Sequence, residues 1–297
     1  MQIKGVVATI GAIIVLFGLL VLGPRVAPTV ASAEDNSIPE ATPVRASSSG
    51  KPMFLDNLPK KFEMPTNETG NLLLREYGAV FLARNGVVPP KKVIFRDADD
   101  VDSFQQTLSM SAIKFAGYNI ELQSKAARDL IDAIEDAQKA GLTISPRGAD
   151  SGRRDYEQTR RLWASRVNPG MKYWISKGRI SAKEAARIQA LPTYAQVPEI
   201  LRLERSGIYF AKSLDKSIIY SVAPPGTSQH LSMLAFDVAE FDNAKVRAIL
   251  ATHKWFQTVV SDLPHFTYLG VEEKSLPKLG LKQKTDPSGR VFWIPDL

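Results

Sequence analysis

The sequence predicts an α+β fold, on three observations. Some stretches repeat apolar residues at helical spacing, and others are short runs of strand-like character. The two kinds of segment follow one another without the strand–helix–strand rhythm of a parallel sheet. There is no internal repeat of the kind that would indicate a solenoid. The 297 residues, 44% hydrophobic and 23% charged, suit a soluble core of one large domain or two modest ones.

The elements follow in order. After Lys4, the run from Val6 to Gly23 (VVATIGAIIVLFGLLVLG) holds eighteen residues without a charge. A spanning helix needs about 20 apolar residues, whereas a signal peptide has a shorter apolar core. Ala31-Ser32-Ala33 resembles a cleavage site beyond the run. Residues 1–33 are therefore expected to be a membrane anchor or a cleaved signal, with the rest of the chain exported. Glu34 to Lys51 is rich in Ser, Pro, Ala and Thr, and Phe54 to Thr69 carries scattered Pro and charge. Residues 34–69 are expected to form a disordered linker and residues 70–297 the folded domain, with order beginning near Leu72.

Within that domain, Glu76 to Arg84 and Lys92 to Arg96 read as strands around a turn at Asn85 to Pro90, and Val101 to Leu108 as a short helix. Ser124 to Ala140 is the strongest helix, with Leu130, Ile131 and Ile134 as its stripe and Gly141 as its stop. Leu142 to Ser145 reads as a strand and Asp155 to Val167 as a helix. Ser181 and Glu184 have capping-box spacing, and Pro198 to Ser206 is a further helix. Leu234 to Phe241, Phe266 to Leu269 and the edge segment Val291 to Ile294 read as strands.

Charge and composition narrow the chemistry. A net charge of +7 and a pI near 9.4 favour anionic partners: nucleic acid, an acidic membrane surface or a cell-wall polymer. No run of Lys and Arg is interleaved with aromatics, so nucleic acid is not expected. The chain has no cysteine, which excludes disulfides, thiolate metal sites and a Cys nucleophile. Any metal must then be held by His, Asp or Glu, and there are only three His: His230, His253 and His265.

Two of the three fall in short blocks that carry carboxylates. The first, Ser228 to Asp237, follows the turn Pro224-Pro225-Gly226, which places His230 on a loop or at a strand start and Asp237 inside the strand. Alternation sets Leu234, Phe236 and Val238 on one face and Ala235, Asp237 and Ala239 on the other, where two small neighbours leave room before the carboxylate. The second block is Asp262-Leu263-Pro264-His265, with His265 where loop meets strand. Two His and one Asp make a three-ligand zinc site with a fourth position for water. Asp262 is then a nearby carboxylate able to move a proton. It is equally placed to cap the turn through its side chain. His253 lies near a helix C-terminus, where a cation is favourable, and is read as structural.

These blocks resemble the paired zinc motifs of the LAS metallopeptidases, the group that contains the vancomycin-resistance D,D-carboxypeptidases and D,D-dipeptidases. The group reads S-x-H-x-x-x-x-x-x-D followed by an acid three residues before a His. Ser228, His230 and Asp237, then Asp262 and His265, match it. Its Arg, in an S-G-Y-R-S-Y context, corresponds to Arg154 in Ser151-Gly152-Arg153-Arg154-Asp155-Tyr156. The resemblance runs from about Leu122 to Gly270. It implies an α+β fold of LAS and hedgehog-like type, with a central antiparallel sheet that carries the zinc and is flanked by helices. It implies zinc on His230, Asp237 and His265, Asp262 as catalytic base, and Arg154 acting on substrate or transition state. Ser228 would be a substrate contact, and peptidoglycan stem peptides ending in D-alanyl-D-alanine the substrate. The chain departs from the pattern with Asp262 for Glu, Pro264 for Trp, Met233 for Gly and Thr159 for Gln. A cell-wall endopeptidase on the same fold and a zinc-binding, non-catalytic wall-binding domain are the alternatives.

Overall fold

The structure is a computed structural model, and it describes residues 54–297. The apolar run of residues 6–23 and residues 34–53 of the expected linker lie outside the described residues. Among the described residues no helix is long and apolar enough to cross a membrane.

Phe54–Asn57 forms a 3-10 turn, and Phe54 is fully buried. Residues 54–69 are therefore not the linker expected from their prolines and charges: Phe54, with Leu55, Leu58 and Phe62 beside it, anchors them to the core. Helix α1 (Glu68–Tyr77) starts where Asn67 accepts from the Gly70 N–H, and it runs into the 3-10 turn Gly78–Leu82. The strand expected at residues 76–84 is thus helical. Its apolar residues are buried on all sides, and such a run has no periodicity to separate the two forms. Residues 92–96 are extended but make only an isolated bridge, Glu63 to Lys92, rather than the strand expected. Pro89 and Pro90 just before them lack the N–H groups a ladder needs.

Helix α2 (Ala98–Gln105) is capped by Asp97. It leads to a hairpin the sequence reading did not foresee, β1 (Met110–Phe115) and β2 (Tyr118–Gln123). Its turn, Ala116-Gly117, has φ of 49° and 82°, the two left-handed residues that a tight hairpin demands. Helix α3 (Ser124–Lys139) follows as expected. The stretch expected as a strand at 142–145 is irregular, and joins the sheet only through a bridge from Pro146 to Val238. Helix α4 (Tyr156–Ser176) has a capping box of Asp155 and Gln158, and continues nine residues beyond the expected Val167, through Pro169. Helices α5 (Ala182–Gln189) and α6 (Thr193–Glu204) complete this layer.

Strand β3 (Ala235–Asp237), helix α7 (Ala244–Thr252), and strands β4 (Trp255–Phe256) and β5 (His265–Tyr268) form the antiparallel sheet β3-β5-β4 and its helical cover. Strands β6 (Leu281–Thr285) and β7 (Val291–Pro295) make a second hairpin. Beta3 pairs with β5 so that Asp237 faces His265 and Phe236 faces Phe266. With a period of two, one side of the sheet is apolar: Phe236, Phe266 and Tyr268 are buried, and the Tyr268 hydroxyl bonds Asp129 of α3 at 2.6 Å. The other side carries Asp237, His265 and Thr267. The mixed helix and strand content and the small antiparallel sheets agree with the α+β expectation.

Candidate metal centre

His230 reaches this polar side from a 3-10 turn, Gln229–Ser232. Two backbone features aim the turn. Gly226 has φ of 80°, and a Cβ there would lie 1.9 Å from the Phe95 carbonyl oxygen, so only glycine fits. Met233 ends the turn in the left-handed region, at φ 58°. This is the position where the resembling group has Gly. Strain of about 1–2 kcal/mol at a non-glycine residue is offset here by a fully buried Met side chain.

The turn and the sheet bring His230, Asp237 and His265 together: one potential ligand atom of each lies within 4.8 Å of the others. The hydrogen bonds of the rings decide which atoms these are. His230 Nδ1 is 2.6 Å from the Gly152 carbonyl oxygen, which can only accept, so Nδ1 carries the proton. His265 Nε2 is 3.0 Å from Gln229 Oε1. The remaining nitrogens, His230 Nε2 and His265 Nδ1, each lie 3.2 Å from Asp237 Oδ1. His230 Nε2 is at ion-pair distance but off any hydrogen-bond direction, a buried nitrogen without a hydrogen-bond partner among the described residues. His265 Nδ1 lies within hydrogen-bond distance of that oxygen, whereas His230 Nε2 brings an unpartnered lone pair to it. A cation among the three would satisfy that lone pair, so the residues present fit a divalent metal. Two neutral imidazoles and one carboxylate form a donor set suited to zinc with an open position.

Charge tuning agrees. Burial, then the nearby Arg154 guanidinium, lowers the His230 pKa and keeps the ring in its neutral, ligating form. Burial opposes ionisation of Asp237, but His230 and then His265 outweigh it and hold the carboxyl well below the usual range.

The site opens into a cleft of about 290 Å³ lined by Arg154, Ser228, Asp262 and the three candidate ligands, among others. Arg154 does not extend freely towards substrate. Its Nη2 donates to Asp237 Oδ2 at 2.8 Å and its Nε to the Asp150 carbonyl at 3.1 Å. Asp262 is exposed at the rim. Its turn is closed by main-chain bonds, from its own N–H to the Val259 carbonyl and from the His265 N–H to its carbonyl. Among the described residues its carboxylate makes no hydrogen bond or ion pair. Ser228 is buried beside His230. Three cleft residues escaped the sequence reading: Gln229, Arg147 and Arg166. Gln229 sits between two motif residues, but nothing in its local spacing says that it faces His265 across the chain. His253 lies apart from the site, at the end of α7, with Nε2 3.0 Å from Asp136 Oδ2.

Two solved structures are similar to part of the chain. One is the vancomycin-resistance D,D-pentapeptidase VanY, a Glu-to-Ala mutant from a VanB-type resistance cassette in complex with Zn(II). It is 16% identical, over 62% of this chain and 86% of that one, with a TM-score of 0.34. The other is VanYB in complex with D-alanine-D-alanine, 16% identical over 57% and 83%, with a TM-score of 0.34. No curated protein matches significantly. The family described as VanY, D-alanyl-D-alanine carboxypeptidase, matches residues 119–270, a span that takes in α3, α4, the His230 turn and the whole β3-β5-β4 sheet. That is just over half of the 297 residues, and the chain belongs to the VanY D-alanyl-D-alanine carboxypeptidase family.

Proposed function

We propose that this chain is a zinc metallopeptidase that removes the terminal D-alanine from peptidoglycan stem peptides. The observation that carries the reading is the convergence of His230 Nε2, Asp237 Oδ1 and His265 Nδ1 in an open cleft. Membership of the family supplies the reaction class. In this reading the sheet β3-β5-β4 is the platform of the site, as in the LAS fold.

His230, Asp237 and His265 would hold the metal. Zinc in this position supplies a Lewis acid and a bound water whose pKa is lowered to about 7. The exposed Asp262 carboxylate would take a proton from the attacking water as the C–O bond forms and the carbonyl oxygen gains charge, then return it to the amide nitrogen so that the C–N bond breaks and the amine leaves. Arg154 holds the Asp237 carboxylate in place and brings positive charge to the wall where the oxyanion develops. Ser228 offers a hydroxyl beside His230. Arg147 and Arg166, on the same cleft, complement the carboxylate of a C-terminal D-alanine.

The peptidase domain in this proposal extends from Phe54 to Leu297. The apolar run of residues 6–23 tethers or exports it to the compartment that holds the wall. The test is mass spectrometry of pentapeptide muropeptides incubated with the purified chain and zinc. Loss of a single alanine, abolished by a chelator, is the expected result. Cleavage elsewhere in the stem or at a cross-link would identify an endopeptidase. Zinc binding without hydrolysis would leave only a wall-binding role.

A further inference from the structure

We propose that the C-terminal end of α1, acting through Gln229, fixes the metal-binding tautomer of His265. The inference rests on His265 being a ligand of the metal.

Alpha1 ends at Tyr77, and the last carbonyls of a helix have no partner within it. The Tyr77 carbonyl oxygen accepts from Gln229 Nε2 at 2.9 Å. An amide can normally be turned end for end, but a carbonyl oxygen cannot donate, so Nε2 must be the end that faces Tyr77. Oε1 then faces His265 Nε2 at 3.0 Å. Oε1 cannot donate either, so it holds a proton on His265 Nε2. Nδ1 lies 3.2 Å from Asp237 Oδ1, which also accepts, and is the nitrogen left to turn its lone pair to a metal when one binds.

A second set of bonds fixes the same orientation. Gln229 Nε2 donates to Thr258 Oγ1 at 3.4 Å. Thr258 and Thr267 hydroxyls are 2.6 Å apart, and the Thr267 hydroxyl donates to Gln229 Oε1. The donors run one way round this ring: Gln229 N–H to Thr258, Thr258 to Thr267, Thr267 back to Gln229 Oε1. Reversing the amide would break the Tyr77 bond. Gln229, Thr258, Thr267 and His265 are all buried, so no water stands ready to replace a lost partner.

Tyr77 also ties the cleft wall, since its hydroxyl donates to the Ile219 carbonyl at 2.6 Å. It lies 42 residues before the segment matched by the family, which starts at 119. Gln229 is therefore a positioning residue, and the segment around Tyr77 belongs functionally to the metal centre although it stands outside the family match.

The test compares full-length Gln229→Met and Gln229→Glu with the unaltered chain. Met fills the space without an acceptor, while Glu keeps an acceptor on His265. Zinc affinity is read by chelator competition, and the His265 tautomer by imidazole 15N NMR of the zinc-loaded protein. The expected result is about a 10- to 100-fold loss of zinc affinity in Gln229→Met, with Gln229→Glu closer to the unaltered chain. The unaltered zinc-loaded chain should show a protonated Nε2 on His265. Unchanged zinc affinity in Gln229→Met, or a protonated Nδ1 in the unaltered chain, would overturn the proposal. The NMR result stands even if a variant fails to fold. One zinc per unaltered chain, lost on His265→Ala, tests the underlying metal site separately.

Discussion

Asp237 is part-buried in the cleft and Glu204 is shut away from water, and their surroundings push their charges in opposite directions. Asp237 lies among Arg154, His230 and His265, and its pKa is held well below the usual carboxylate range. Glu204, at the end of α6, accepts from the Ser217 hydroxyl, from the Ile218 N–H at 2.7 Å and from the Phe210 N–H at 3.1 Å. Among the described residues no cation bonds it. Burial outweighs those donors and pushes its pKa up to about 7. Neutral donors alone do not stabilise a buried charge as a guanidinium does. Asp237 is thus equipped to remain an anion and hold a cation. Glu204 is a clasp that pins the chain leading into the cleft wall at residues 219–223.

Substitutions can break or sharpen this contrast. The largest effect on activity is expected from Asp237→Asn. It removes the anion but leaves Arg154 in place, and zinc affinity should fall by more than the roughly 100-fold typical of outer-shell changes. Equilibrium dialysis would measure it. Asp262→Asn comes next. Shape and zinc content should be kept while turnover drops about 100-fold or more, within the usual range for a general acid–base group. Near-normal turnover with zinc bound would remove Asp262 from the mechanism. Arg154→Ala is expected to lower turnover and, because the guanidinium holds Asp237, to weaken zinc by about 10-fold as well. Turnover loss with unchanged zinc affinity would assign Arg154 to the substrate alone.

Glu204→Gln should have the smallest effect on activity and a clear effect on stability. The folded pKa of about 7 lies above the ordinary 4.5, so the native state binds the proton more tightly than the unfolded chain does. Its contribution is complete below pH 4.5 and is lost as pH rises through 7. The total is about 3 kcal/mol at 1.36 kcal/mol per pKa unit. Denaturant unfolding at pH 5 and pH 8 should show this loss in the unaltered chain and much less of it in Glu204→Gln. Equal pH dependence in the two would show that Glu204 is ionised throughout.

The sequence made the strand faces and the candidate metal donors readable for a physical reason. A strand has a period of two, so Asp237 between Ala235 and Ala239 declares its face, and scarce histidines make each position informative. Capped helices were legible in the same way, at Asp155 and Ser181. Residues 76–84 were not, because a run buried on every side has no periodicity. The β1–β2 hairpin was missed because its strands are largely exposed or half-exposed and present little apolar contrast. Gln229 was beyond reach because its meaning depends on Tyr77 and His265, which no local pattern connects. Arg154 was legible as a candidate, but its bond to Asp237 is a tertiary fact.

The central claim is that His230, Asp237 and His265 form one zinc centre. Zinc content per chain, measured by elemental mass spectrometry in the unaltered protein and in folded His265→Ala, tests it most directly. The account predicts one zinc in the first and almost none in the second. A full equivalent of zinc in His265→Ala would contradict it.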